Sequence, residues 1–356
     1  MLITIELDET PSGGRQLLCK LNYHVLQDLY PQNFLIFELP IRKSNGLGLL
    51  LNTLRGHIDG LTKDKLQAIL TTIHHEKISK VFVDGSNLGS AVKLIKLRYP
   101  NVEISTFFHN VESRFFYGSF IRKKSIRALA VLLVNYLAER KAVQFSDKVI
   151  CLSNRDNNLL KKLYGRGATH LSPMALEDKF PFYLQQNTNL KTENFALFVG
   201  GLFYANEIGI TWFVQNVVPK ISMRIYIVGK GFEKLKSQLE VSDNVTVIGA
   251  VDNLTEWYKK ASFVIAPIFD GSGMKTKVAE ALMYGKRIIG SPEAFTGYED
   301  IIDEVGTVCN NAGEFVIAIS EYQSKEIKPF DPDVRAIYES NYSYLAAKLR
   351  FAAILN

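Results

Sequence analysis

The stretch APIFDGSGMKTKVAEALMYGKRIIGS, Ala266 to Ser291, runs from an apolar segment through a glycine-bearing loop into a helix-like segment with two lysines and one glutamate. An apolar strand ending near Ile268, a turn holding Gly271 and Gly273, and a helix from about Thr276 make the strand-loop-helix unit of a parallel sheet. In such sheets ligands bind outside the carboxyl ends of the strands, where loops lead into helix N-termini. Unpaired N–H groups and the helix dipole make that turn an anion site, and glycines let a phosphate approach the backbone. Lys275 and Lys277 add point charges beside a diphosphate. A tight turn followed by a solvated lysine pair is the plainer alternative.

The same alternation recurs on both sides of this stretch. KVFVDG precedes LGSAVKLIKLRY, KVICLS precedes RDNNLLKKLYG, MRIYIVG precedes GFEKLKSQLE, and SFVIAPI precedes KTKVAEALMYG. Strand and helix signals in turn predict parallel sheets covered by helices on both faces, and because the series occurs twice the chain reads as two doubly wound α/β domains. The first is expected over residues 1–175 and the second, opening at FALFVGG, over 195–330. Residues 176–194 between them are polar, contain Pro181 and lack a period, as a linker should. Residues 331–356 read as a helix detached from the last strand, expected to cross back to the first domain.

With 356 residues and 47% hydrophobic content, the chain can bury two ordinary cores. Lys and Arg exceed Asp and Glu by 42 to 36, a charge of +6, which falls short of a dedicated nucleic-acid binder and fits an anionic ligand or surface. No nucleic-acid partner is expected. Three widely spaced cysteines without a CxxC pair indicate neither a disulfide framework nor a zinc site, and point to a reducing compartment. The start MLITIELDETPSGG lacks the basic, apolar layout of an export signal, and Ala128 to Ala138 is well short of the ~20 apolar residues that span a bilayer. A cytoplasmic protein is expected, peripheral on the inner face of the membrane.

Two further strand ends in the second half carry glycines. FVGGLFYANEIG places Gly200 and Gly201 between strand and helix, and IYIVGKGFEKL does the same with Gly229, Lys230 and Gly231. Each turn is common, but three in one domain can converge on one nucleotide.

Together these runs resemble retaining glycosyltransferases of the GT-B fold, two Rossmann-like domains facing a central cleft, and among them the bacterial family 4-like (group 1) enzymes of polysaccharide biosynthesis. FVGGLFYANEIGITWF, VIGAVDNLTEWYKKASFVIAPIFDGSGMKTKVAEALMYGKRIIGS and TGYED stand in the family's order and spacing, and FVDGSNLG, FFHNVE and VICLSNRDNNLLKKLYG are similar in the first half. The resemblance implies that Glu280, the second glutamate of an E-x(7)-E pattern, bonds the ribose hydroxyls. The first glutamate falls at Ser272 and is missing, so the departure touches sugar recognition, with Asp270 or Ser272 able to occupy that space. The family's Arg and Lys after the VG strand are replaced by Asn206 and Glu207, which leaves the diphosphate to Lys277, Lys275 or Lys230. Lys277 ranks first because it precedes Glu280 by one turn on the same helix face. Gly201, Gly273, Met274 and Thr276 complete the implied donor site.

In the first domain Gly13 and Gly14 match a loop that approaches the donor phosphate and sugar, with a plain turn as the alternative. His109 follows an apolar strand ending at Phe108, where a family histidine contacts the donor sugar or orients the acceptor; a structural histidine is the alternative. Asp84, Ser86, Asn87 and Asn110 are expected on the acceptor side. The family likeness implies retention by front-face attack with the departing phosphate assisting. No cofactor and no essential metal are expected, since no paired carboxylates follow a strand and lysines with a helix dipole can stand in for a cation.

The expected partners are a nucleotide sugar, a UDP-sugar first, and a saccharide or lipid-linked acceptor in bacterial surface polysaccharide or glycoconjugate synthesis. Arg114 to Ala142 combines six Arg or Lys residues between Arg114 and Arg140, aromatics and an apolar helical body, a pattern suited to an anionic membrane surface or to packing on the sheet. Two other readings stand beside this one. A glycosyltransferase-like binding subunit without catalysis would explain Ser272, whereas a nucleotide-sugar epimerase or oxidoreductase is opposed by the absence of GxGxxG after the first strand.

Overall fold

The computed structural model describes residues 1–9, 13–40, 58–180, 193–324 and 330–356; residues 181–192 of the expected linker, with Pro181, lie outside them. The described chain divides into two compact units, Met1–Met174 with Ala347–Asn356, and Ala175–Ala346.

The first unit is built on six strands, β1 Leu2–Ile5, β2 Ile36–Leu39, β3 Lys80–Asp84, β4 Glu103–Phe108, β5 Lys148–Cys151 and β6 His170–Leu171. All pair in parallel, in the order β2-β1-β3-β4-β5-β6. Ile3, Val81, Val83 and Ile104 are buried in one core with Leu88, Val92 and Ile95 from the segment that follows β3. β1, β3, β4 and β5 are buried along nearly their whole length, as the inner strands of a parallel sheet are, whereas β2 and β6 at its edges expose Glu38 and Leu171. Ser125 and Ser153 cap the helices Ile126–Phe145 and Asn154–Tyr164 by accepting the Ala128 and Asp156 N–H groups, each at 3.2 Å. The residues Ala347–Asn356 complete the same unit: the Phe351 ring lies 5.5 Å from Phe82 and 5.9 Å from Phe107, and Lys80 donates to the Leu355 carbonyl.

The second unit holds β7 Phe195–Val199, β8 Arg224–Val228, β9 Val245–Gly249, β10 Phe263–Ala266, β11 Ile288–Gly290 and β12 Gly306–Val308. These too are parallel, in the order β12-β11-β10-β7-β8-β9. β10 ends at Ala266, two residues before the expected Ile268, because Pro267 has no N–H to extend the ladder; the Ile268 N–H turns to the Ser291 hydroxyl at 2.9 Å instead. The C-terminal segment is two helices, Pro332–Asn341 and Tyr344–Leu355, where one was expected. Ser343 makes the break, donating to the Glu339 carbonyl at 2.6 Å and accepting the Ala346 N–H at 3.2 Å as a new cap. Leu176 and Asp178 pack within this unit, Leu176 against Tyr342 and Tyr338, and Asp178 in an ion pair with Arg335.

Chain order reverses between β1 and β3 in one sheet and between β7 and β10 in the other. Those are the points where an open parallel sheet leaves a crevice at its carboxyl edge. Among the described residues no helix is long and apolar enough to cross a membrane.

Candidate active site

At the second unit's reversal point, the exits of β7 and β10 bring Gly200 and Lys277 together. Lys277 lies in the first turn of the helix Thr276–Met283 and is 8% exposed. Its ammonium donates to Asn206 Oδ1 at 2.9 Å and sits 4.2 Å from the centre of the Phe198 ring. Glycine is needed here for space. A Cβ at Gly200 would stand 2.7 Å from Asn206 Nδ2 and 3.2 Å from Lys277 Nζ, and one at Gly229 would stand 1.8 Å from the Gly200 carbonyl oxygen. Burial pushes the Lys277 ammonium down from 10.5 to about 7, against the opposing pull of Glu280. A cation held this far below its usual range in a nearly dry site gains most from an arriving anion.

Glu280, one turn later on the same helix, is half-buried and accepts the Tyr258 hydroxyl at 3.1 Å. Burial raises its carboxyl, while Tyr258, Lys179 and Lys277 hold it back. Tyr258 is fixed in turn by stacking on Tyr284, ring centres 4.6 Å apart. Lys275, by contrast, is turned to Glu293 and the Gly273 carbonyl, both at 2.9 Å. Lys230 is exposed on the loop after β8, whose backbone oxygen accepts the Leu202 N–H at 2.8 Å and so ties that loop to the exposed Gly201. Asp270 accepts its neighbour's N–H, from Gly271, at 2.8 Å; Ser272 and Thr276 are half-buried, and Gly273 and Met274 are buried beside them.

The first unit's reversal point gathers a second polar group. Gly13, at φ 99°, starts the helix Gly14–Leu29, and among the described residues no side chain caps that helix. His109 follows β4 directly and lies 2.9 Å from Asp84 at the end of β3. Asp84 was expected to line the acceptor side. It is 0% exposed, sealed under the surface by Thr4, Asn22 and His109. Ser86 and Asn87 are buried in the turn after it; Ser86 donates to Glu139 at 3.0 Å and Asn87 to Asp59 at 3.1 Å. Asn110 is half-buried beside His109, its Oδ1 without a partner among the described residues.

Four residues here carry roles that sequence reasoning did not assign. Arg15 pairs with Asp59 beside Asn87, and Glu112 and Glu139 are buried carboxylates. Glu139 accepts from Ser86, the Glu112 and Ser113 N–H groups, the Ser113 hydroxyl and Tyr164, and so caps the helix Glu112–Lys123 from another helix. One signal was present: Asn135, Ala138 and Ala142 mark the buried face of Ile126–Phe145, and Glu139 lies on it.

Residues 193–324 match the family model described as glycosyl transferases group 1. The matched stretch falls inside the second unit, Ala175–Ala346. Lys277 and Glu280 both lie within the matched residues. Over the whole chain the fold is that of GT-B glycosyltransferases. Sucrose-phosphate synthase from Thermosynechococcus elongatus superposes with a TM-score of 0.73 at 16% identity, covering 99% of this chain and 98% of its own. HepE of Anabaena, solved with UDP-glucose, gives 0.66 at 12% identity over 99% and 98%. WaaG, a glycosyltransferase involved in lipopolysaccharide biosynthesis, gives 0.66 at 15% over 100% and 99%. No protein of curated function matches this chain in sequence.

Proposed function

We propose that the protein is a retaining glycosyltransferase that moves a sugar from a UDP-sugar to a saccharide acceptor, lipid-linked, in bacterial surface polysaccharide or glycoconjugate synthesis. The observation that carries this reading is the pairing of Lys277 and Glu280 on one helix face at the reversal point, inside the group 1 domain. Lys277 and the N-terminus of its helix meet the diphosphate, and Glu280 meets the ribose. The likeness to HepE, solved with UDP-glucose, supports uridine as the base. The first unit binds the acceptor, and the departing phosphate assists attack on its own face of the sugar.

Calorimetric titration with UDP tests the site. Glu280→Gln keeps an acceptor for Tyr258 but removes the charge; UDP affinity is expected to fall about tenfold or more, as for one charge-assisted hydrogen bond. Unchanged affinity would take Glu280 out of the site. Since charge on the leaving diphosphate is assigned to a lysine and a helix N-terminus, turnover of UDP-glucose is expected to survive EDTA. Loss that only a divalent cation restores would overturn that assignment.

A further inference from the structure

The strongest unassigned cluster lies under the first unit's reversal point, where Cys19, Asp84 and His109 bring Sγ, a carboxylate oxygen and Nε2 within 4.8 Å of one another. Asp84 accepts three hydrogen bonds there. Oδ1 receives Asn22 Nδ2 at 2.9 Å and faces His109 Nε2 at 2.9 Å, and Oδ2 receives Thr4 Oγ1 at 3.1 Å. Thr4, Asn22 and Asp84 are all at most 1% exposed. A carboxylate so placed can only accept, so Nε2 must carry the proton it shares. His109 Nδ1 is buried and has no partner among the described residues, and the Phe107 ring packs 5.2 Å from the imidazole.

We propose that Asp84 is a positioning residue that locks His109 as the Nε2–H tautomer, so that Nδ1 offers a lone pair to a saccharide hydroxyl. Asp84 acts through His109 and does not touch the acceptor. Thr4 and Asn22 hold the carboxylate in place, much as a buried aspartate fixes the imidazole of a serine-protease triad. Cys19 Sγ, 3.6 Å from Nε2, lies against the same protonated nitrogen.

The tautomer decides the proposal by itself. In the 15N spectrum of histidine-labelled wild type at pH 7.5, with His109→Gln used to assign the resonance, His109 is expected as the neutral Nε2–H form. The Nδ1–H tautomer or an imidazolium would overturn the proposal. Asp84→Asn, whose amide can donate to Nε2, is expected to convert His109 to the Nδ1–H form, while Cys19→Ser leaves it unchanged. A stoichiometric transition metal in the purified wild type that is lost in Cys19→Ser would place a metal where the proton is assigned, and would also overturn it. The kinetic arm rests on the glycosyltransferase reading: with UDP-glucose as donor, Asp84→Asn is expected to lower kcat on the order of a hundredfold, with KM for UDP-glucose within about twofold. A switched tautomer with unchanged kcat would remove the positioning role. Absence of UDP binding would instead sink the transferase reading and leave the tautomer result standing.

Discussion

The two ionisable groups of the helix Thr276–Met283 are tuned in opposite senses by one cause. Burial lowers Lys277 to about 7 and raises Glu280, so each holds its charge less firmly than it would in water. For Lys277 the unfolded chain binds the proton up to about 10.5 and the folded chain only to about 7, so this group's burial costs stability below pH 7 and the cost is relieved as pH rises toward 10.5. On the proposed reading, a diphosphate bound beside Lys277 would restore the ammonium. At pH 8, calorimetry in buffers of different ionisation enthalpy is therefore expected to show proton uptake when UDP binds, and Lys277→Met is expected to abolish it; no uptake in the wild type would mean that Lys277 does not meet the phosphate. The spacing of Lys277 and Glu280 was legible in the sequence because both lie on one helix turn. The Asn206 contact was not, since it joins positions 71 apart through the close approach at Gly200.

At the scale of elements, the helix Glu112–Lys123 begins over two buried carboxylates. Burial raises Glu112 from 4.5 to about 7, with Arg15 opposing and Glu139 adding to the rise. The folded state then binds more protons than the unfolded state between pH 4.5 and about 7, so this group's contribution to stability falls as pH rises through that window. Glu112→Gln is expected to flatten the fall in Tm between pH 5 and 7.5, read by thermal denaturation; an unchanged slope would mean another group titrates there. The same helix and its successor carry exposed Tyr117, Ile121, Ile126, Leu133 and Leu137 beside Arg122, Lys123, Lys124 and Arg127, with Ile126 88% exposed. We infer that this face meets an anionic membrane, each well-placed cation adding roughly 1 kcal/mol. Binding to vesicles with phosphatidylserine is expected to fall several-fold in Ile126→Asp/Leu133→Asp and with added salt; equal sedimentation of variant and wild type would refute it. Strand positions were readable because apolar runs of this length bury on both faces. Their ends depended on single residues such as Pro267, and the break at Ser343 depended on a side chain bonding back to Glu339.

Across the whole molecule, the repeated strand-helix alternation was enough to give two parallel sheets, because each amphipathic helix must cover a sheet face somewhere nearby. Long-range polar partners escaped that reasoning: Thr4, Asn22 and Asp84 meet only once the order β1-β3 is set, a fact of topology rather than of local pattern. The first unit is also discontinuous in sequence, since Ala347–Asn356 supply Phe351, which packs against both Phe82 and Phe107. During synthesis the residues that complete this aromatic cluster therefore emerge only after residues 175–346 of the second unit. A chain stopped at residue 174 is expected to be aggregation-prone, and adding a peptide of residues 344–356 in trans is expected to rescue its solubility. Exchanging the first unit between relatives would therefore fail unless the final helix travels with it.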